Sequence, residues 1–190
     1  MSNLSDFINA GDGGGGINEL EFKRENFVLD EINLDVDFGT VFDIFDCATI
    51  DSTGVGSIWF NFTMPDGFDY TKDILFDISY SLSGNDPSKD VHLEADIWIN
   101  DVGDIPSESS PDLSLSEDVE SINPPSYPDI PNIGVLSYYE LQTIKIDESN
   151  LDSNTNKIAI KFTRNGTHAN DTYLGAFQLI SIKVRQPEEE

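Results

Sequence analysis

Apolar and polar residues alternate one by one through most of the chain after about residue 26. A period of two places all the apolar side chains of a segment on one face of a pleated strand, so each run predicts a β-strand that packs against a core. Four runs show the period clearly and three show it less regularly, which gives at least seven expected strands: 58–64, 74–82, 91–99 and 158–162, and then 41–50, 133–146 and 173–184.

Short segments rich in Gly, Pro, Asn and Asp separate the runs, as at 65–67, 83–87 and 165–166. These are the residues that favour tight turns. No helical period longer than two turns lies between the strands, which argues against parallel βαβ units. The sequence therefore predicts an all-β fold, an antiparallel β-sandwich of jelly-roll type.

The first 24 residues have a different character and are predicted to form an anchoring arm with a glycine-rich tether. Leu4, Phe7 and Ile8 follow the spacing of one helical face, and the run Gly13–Gly16 breaks regular structure after them. We expect the arm to dock its apolar side chains on a neighbouring subunit. The alternative is a frayed chain terminus.

The sandwich is expected to span residues 25–187, followed by a short acidic tail at 188–190. Within it, the alternation stops between residues 101 and 132, a stretch with six prolines, eight carboxylates and no basic residue. We predict a long insertion loop there, because proline interrupts strand pairing. Its scattered apolar residues favour an ordered flap on a sheet face or on a neighbouring subunit, with a solvated acidic insertion as the alternative.

Composition narrows the classes of partner. The 190 residues include 36 Asp and Glu against 10 Lys and Arg, for a formal charge of −26, which argues against nucleic acid because phosphate would be repelled. We expect no membrane contact, since no run approaches 18 consecutive apolar residues. The single Cys47 leaves no intrachain disulfide and no cysteine metal cluster.

Motifs for catalysis are missing from the sequence. It contains no GxSxG, no HExxH, no phosphate-binding loop and no dinucleotide fingerprint, so we predict no enzyme activity, no catalytic residue, no cofactor and no metal-ligand motif. His168 lies between two late strands and is interpreted as a turn residue.

One row of side chains is a candidate binding face. His92, Glu94 and Asp96 occupy alternate positions of one predicted strand and point the same way, and Trp98 extends the row with a ring on which a ligand could stack. Such a row could hold a divalent ion or a sugar. The alternative is an ordinary polar sheet face or a subunit contact.

Several segments resemble jelly-roll structural proteins of tailed-bacteriophage virions. The opening peptide 2–16 is similar to the short arms with glycine runs on such proteins. Three further segments carry the resemblance in the body of the chain: the aromatic strand and Pro-Asp-Gly turn at 58–69, the strand pair at 74–100, and the final segment at 162–184.

The resemblance implies assembly rather than catalysis. It suggests a capsid decoration or cement protein on the virion exterior that self-associates, with a homotrimer as the expected state, and binds the major capsid protein or another virion protein. The expected assembly interface comprises Leu4, Phe7 and Ile8 of the arm together with Trp59 and Trp98, since exposed aromatics are common interface anchors. A tail or fibre component and a carbohydrate-binding β-sandwich module are the alternatives.

Overall fold

The chain folds as an antiparallel β-sandwich of jelly-roll type, which confirms the predicted fold class. The computed structural model describes residues 19–29, 36–41, 45–82, 89–101, 110–120 and 136–187. In these residues eleven strands are present: β1 (Glu19–Lys23), β2 (Val28–Leu29), β3 (Val36–Val41), β4 (Phe45–Ile50), β5 (Val55–Thr63), β6 (Ile74–Leu82), β7 (Asp90–Asp101), β8 (Leu113–Glu120), β9 (Leu136–Ile146), β10 (Thr155–Asn165) and β11 (Phe177–Arg185).

The strands form two sheets, in which every pairing is antiparallel. Sheet A has the order β3-β4-β11-β6-β9, and sheet B has the order β2-β5-β10-β7-β8. β11 pairs along one edge with β6; its other edge pairs first with β4 and then with β1. In the described part of the chain, the only helical segments are two single 3-10 turns, Arg24–Asn26 and Glu148–Asn150, and no helix is long and apolar enough to span a bilayer.

The apolar positions of the alternating runs meet between the sheets. Burying each large side chain of this kind contributes about 1.5–3 kcal/mol, so these rows supply most of the driving force for folding. The void at their centre measures about 10 Å³, which leaves no room for an internal ligand. The buried rows that meet there include Ile58, Phe60 and Phe62 of β5, Ile74, Phe76 and Ile78 of β6, and Ile158, Ile160 and Phe162 of β10.

Part of the predicted insertion loop is a strand, which corrects the prediction that residues 101–132 interrupt the sandwich throughout. β8 pairs with β7 along sheet B. Leu113, Leu115 and Val119 alternate with polar residues, so the period of two continues in this segment. The prolines on both sides of this segment disfavour strand pairing, so the sequence predicts a loop there despite the alternation. Residues 102–109 and 121–132 lie outside the described residues.

The sandwich also begins earlier than residue 25. β1 pairs with the last strand over five residues, and Phe22 packs its ring 5.1 Å from that of Phe60 in the opposite sheet. Residues 19–23 therefore belong to the sandwich rather than to the tether, because their apolar side chains complete the core. The predicted anchor residues Leu4, Phe7 and Ile8, and the tail 188–190, lie outside the described residues.

Candidate functional site

The outer face of sheet B carries a pair of tryptophans in contact with each other. Trp59 of β5 and Trp98 of β7 are partly exposed, with ring centroids 4.9 Å apart and planes inclined by 31°. They lie on either side of β10, where Ala159, the register partner of Trp98, is too small to separate the rings. The Lys161 ammonium lies 5.6 Å from the centroid of Trp59. The two indoles are thus neighbours in direct contact on this face.

Polar side chains continue this face along β7 toward its start. His92, Glu94 and Asp96 follow one another at alternate positions, opposite Asp118, Ser116 and Ser114 of β8 respectively. Together with the segment after β10 they surround a surface recess of about 440 Å³. The recess is lined by His92, Glu94, Asp96, Ser114, Leu115, Ser116, Glu117, Asp118, His168 and Asn170.

Hydrogen bonds fix the two central carboxylates of the row. Ser114 Oγ donates to Asp96 Oδ1 over 2.6 Å, and Asn165 Nδ2 donates to Glu94 Oε1 over 2.9 Å. Each carboxylate keeps a second oxygen, and both side chains are partly exposed to solvent. They are therefore held in place while retaining lone pairs that can accept hydrogen bonds from a ligand.

His92 is buried at the bottom of the recess, although its strand position faces outward. Only 7% of its side chain is exposed, because the ring of His168 stacks on it with centroids 3.7 Å apart and planes inclined by 13°. Its Nδ1 lies 2.5 Å from Asp118 Oδ1, and its Nε2 lies 3.4 Å from Glu94 Oε1. Both ring nitrogens of His92 thus face carboxylates.

Asp118 links the strand to the neighbouring segment. Its Oδ2 accepts a hydrogen bond from Asn170 Nδ2 over 2.7 Å. The hydrogen bond with His92 is the largest influence that lowers the pKa of Asp118 below its ordinary value; the hydrogen bond with Asn170 and the charges of both histidines act in the same direction, against burial. Asp118 is therefore held as a carboxylate in the recess.

Arg164 of β10 anchors the segment that carries His168. Its guanidinium is fully buried and donates from Nε and Nη2 to the two oxygens of Asp171, each over 2.8 Å. It also donates over 2.6 Å to the carbonyl oxygens of Tyr173 and Gly175. Asp171 Oδ2 in turn accepts the backbone N–H of His92 over 3.2 Å. This network fixes the segment 166–176 against the start of β7.

Gly166 fixes the other end of the segment through close packing. A Cβ atom at this position would lie 2.3 Å from the carbonyl oxygen of Ser52, which is far inside van der Waals contact. The Gly166 N–H donates to the carbonyl oxygen of Gly54 over 2.9 Å. Only glycine allows this approach, which places His168 two residues further on above His92.

The structure brings together the four side chains of the predicted binding row on one face, and it places Trp59 beside Trp98. Sequence reasoning missed Asp118, Asn170 and the contact of His168 with His92. Asp118 lies in β8, within the segment that the sequence predicts to be an insertion loop. The Asn165-Gly166 pair predicts a tight turn at this point of the chain. That this turn lies beside the start of β7 depends on the order of the strands in the sandwich, which the local sequence does not specify.

The sequence matches no protein-family model and no curated protein. Solved structures similar to the fold include the module TmCBM61 with β-1,4-galactotriose (11% identity, 84% of this chain and 86% of that one, TM-score 0.37). The mannan-recognising module TmCBM27 is similar at 11% identity, with coverages of 91% and 98% and a TM-score of 0.40. The family 11 carbohydrate-binding module of Clostridium thermocellum, with a β-1,3-1,4-mixed-linked tetrasaccharide, is similar at 14% identity, with coverages of 95% and 95% and a TM-score of 0.37. Likenesses this distant carry no argument about function.

Proposed function

We propose that this chain is a non-enzymatic binding module that holds a carbohydrate on the outer face of sheet B. The observation that carries the proposal is the pair of contacting tryptophans, Trp59 and Trp98, beside a row of hydrogen-bonded carboxylates. A sugar ring has an apolar face of C–H groups and an equator of hydroxyl groups. This outer face offers a complementary surface to each.

The aromatic part of the face would supply the apolar contact. A partly exposed indole is a large and rigid surface, so a ligand that covers it gains contact area at a small cost in side-chain entropy. The two rings are braced against each other at 4.9 Å. They are thus preorganised, which reduces the entropy lost on binding.

The polar part of the face would supply the orientation. Asp96 and Glu94 are held by Ser114 and Asn165, and each retains oxygen lone pairs toward the recess. Carboxylates that accept hydrogen bonds from hydroxyl donors form charge-assisted bonds, which are stronger than neutral ones. The recess of about 440 Å³ falls within the usual range for small-ligand sites.

Binding to an array of neutral oligosaccharides, followed by calorimetric titration of the best ligand, tests this proposal. We expect saturable binding that Trp98→Ala weakens by at least about tenfold, since a central aromatic anchor commonly contributes more than about 1.4 kcal/mol. Asp96→Asn is nearly isosteric and should weaken binding without unfolding the protein.

Lys183→Gln is the matched control, because Lys183 forms an exposed ion pair with Glu19 on the outer face of sheet A. It should bind as the parent does. An array without any bound oligosaccharide, or a ligand that Trp98→Ala and Asp96→Asn bind with unchanged affinity, would overturn the proposal.

The virion interpretation stays a prediction. Its anchor residues Leu4, Phe7 and Ile8 lie outside the described residues, and its other predicted contacts, Trp59 and Trp98, occupy the proposed sugar face. Analytical ultracentrifugation separates the two functions. If the aromatic pair is an assembly interface, Trp98→Ala will dissociate an oligomer, and if it is a sugar face, the oligomeric state will not change.

A further inference from the structure

We infer that His92, Asp118 and His168 form a binding site for a borderline divalent transition-metal ion, with Zn²⁺ as the representative, at the bottom of the recess. The candidate ligand atoms of these three residues lie within 4.8 Å of one another. They come from β7, from β8 and from the segment after β10, so an ion would join three separate parts of the sandwich. This inference does not depend on carbohydrate binding.

The three residues are near enough to share a single ion after a side-chain movement. Zinc binds imidazole nitrogen and carboxylate oxygen at about 2.0–2.2 Å and is almost always tetrahedral, so two ligand atoms of one ion lie about 3.3–3.6 Å apart. The candidate atoms, which lie within 4.8 Å of one another, must move closer together to share an ion. The segment after β10 places His168 where its side chain is partly exposed and can adjust. A rotation of the His168 side chain would bring its ring nitrogen to coordination distance of an ion held by His92 and Asp118.

Neighbouring polar groups provide the outer support that metal ligands require. Asn170 Nδ2 donates to the Asp118 oxygen that faces away from His92. Glu94 lies beside the second nitrogen of His92 and is itself held by Asn165. Such partners orient the ligands of protein metal sites and commonly affect metal affinity by about 10- to 100-fold.

The donor set selects the class of metal. Two imidazoles and one carboxylate suit Zn²⁺, Ni²⁺, Cu²⁺ or Co²⁺, whereas Ca²⁺ and Mg²⁺ prefer a shell made of oxygen alone. The remaining coordination positions would face the recess, where water or a ligand hydroxyl could occupy them. The exposed carboxylates of a surface with 36 Asp and Glu would attract hard cations diffusely, but they would not provide imidazole ligands.

Metal binding must disturb the stacked histidines. Two nearly parallel rings 3.7 Å apart hold their nitrogen lone pairs in two separate, nearly parallel planes, so they cannot both aim at one ion. His168 therefore has to turn out of the stack when the ion binds. Its hydrogen bond from the Asn170 N–H measures 3.3 Å and is weak, so that bond opposes the rotation only slightly.

The test is a calorimetric titration of Zn²⁺ into chelator-treated protein in about 0.15 M salt, which screens diffuse surface attraction. Millimolar Mg²⁺ is included to occupy carboxylate-only sites. We expect one saturable site whose affinity falls by more than about tenfold in His168→Ala and in Asp118→Asn. Imidazole resonances of His92 and His168 should shift together at one equivalent.

Asp147→Asn is the matched control, because Asp73, Asp147 and Glu148 form a second cluster that lacks histidine and already binds Lys145. It should leave Zn²⁺ affinity unchanged. His168→Ala is preferred to a His92 variant because His92 is buried and its removal could impair folding. The inference fails if no saturable site is found, or if His168→Ala binds Zn²⁺ as the parent does.

A repeat of the oligosaccharide titration in the presence of chelator keeps the two proposals apart. Sugar binding without metal, together with Zn²⁺ binding without sugar, would support each separately. If no sugar binds, the Zn²⁺ titration still tests this inference completely. If no Zn²⁺ binds, the Trp98→Ala comparison still tests the carbohydrate proposal completely.

Discussion

Arg164 is the residue on which the site depends most. It is fully buried, forms a bidentate pair with Asp171 and donates to two carbonyl oxygens of the following segment. Breaking one partner of a buried ion pair is costly, because the remaining charge is left desolvated and unpaired. The arginine therefore fixes the segment that carries His168 and Asn170, although it does not line the recess.

Replacing this arginine tests its structural role. We expect Arg164→Met to reduce the free energy of unfolding by about 3–5 kcal/mol, since Asp171 would remain buried without its partner. Urea unfolding followed by tryptophan fluorescence measures the change. The exposed pair Lys23–Glu21 provides the control, and Lys23→Gln should leave the unfolding midpoint unchanged. A loss for Arg164→Met no larger than that for Lys23→Gln would contradict this role.

At the residue scale, the sequence predicts the row of side chains on β7 but not the contact between His92 and His168. His92, Glu94, Asp96 and Trp98 share a face because of the two-residue period alone, so their common direction could be predicted. The stack of His92 on His168 depends on which strands become neighbours and on a glycine that approaches the backbone of Ser52. Neither fact is encoded by local spacing.

At the scale of elements, β6 and β9 are joined at one end by an ion pair. Asp73, just before β6, accepts hydrogen bonds from Lys145 Nζ over 2.6 Å and from the Glu148 N–H over 3.0 Å. A side-chain hydrogen bond with Glu148 and then that with Lys145 lower the pKa of Asp73 to about 2. The same contact with Asp73, followed by that with Asp147, holds the pKa of Lys145 above its usual range.

This pair predicts a contribution to acid stability. The pKa of Asp73 is lower in the folded chain than its ordinary 3.8, so its stabilising effect is complete above about pH 4 and is lost as the pH falls toward about 2. The difference in unfolding free energy between the parent and Asp73→Asn should therefore be largest near neutral pH and shrink across this window. Chemical denaturation at several pH values measures it.

Thr63→Ser is the control for this pH dependence, because Thr63 is exposed on β5 and the substitution changes no titratable group. Its difference from the parent should stay constant over the same range. If the difference for Asp73→Asn is also constant between about pH 4 and about pH 2, the carboxyl of Asp73 titrates normally and the ion pair does not stabilise the sandwich.

The sequence predicts the strands correctly where apolar and polar residues alternate without interruption, and it fails to predict the strand that lies between prolines. The clear runs appear as β5, β6, β7 and β10. β8 was missed because Pro111 precedes it and further prolines follow, so the composition of the whole stretch outweighed the alternation of eight residues. β1 was missed because it follows the glycine run, and its pairing with β11 joins distant parts of the chain.

At the scale of the whole molecule, the formal charge of −26 is the dominant feature. Charges of one sign spread over the surface of one sandwich repel each other and destabilise the compact state. Salt reduces this repulsion, since the Debye length falls from about 30 Å at 0.01 M to about 8 Å at 0.15 M.

We therefore expect the melting temperature to rise by a few degrees over this range of sodium chloride concentration, because about 1 kcal/mol shifts Tm by roughly 2–4 °C for a chain of this size. Scanning calorimetry measures the change, with a neutral osmolyte as the control for effects unrelated to charge. A flat or falling Tm would show that local ion pairs already compensate the repulsion.

The central claim concerns one face of the molecule, and the two tryptophans allow it to be tested directly. The sequence contains two tryptophans, Trp59 and Trp98, so a ¹H–¹⁵N correlation spectrum has two indole resonances. On titration with an oligosaccharide selected from the array, both resonances should shift saturably together with the backbone amides of β5, β7 and β10, while those of β6 and β11 stay in place. Saturable shifts confined to sheet A, with both indole resonances unmoved, would contradict the account.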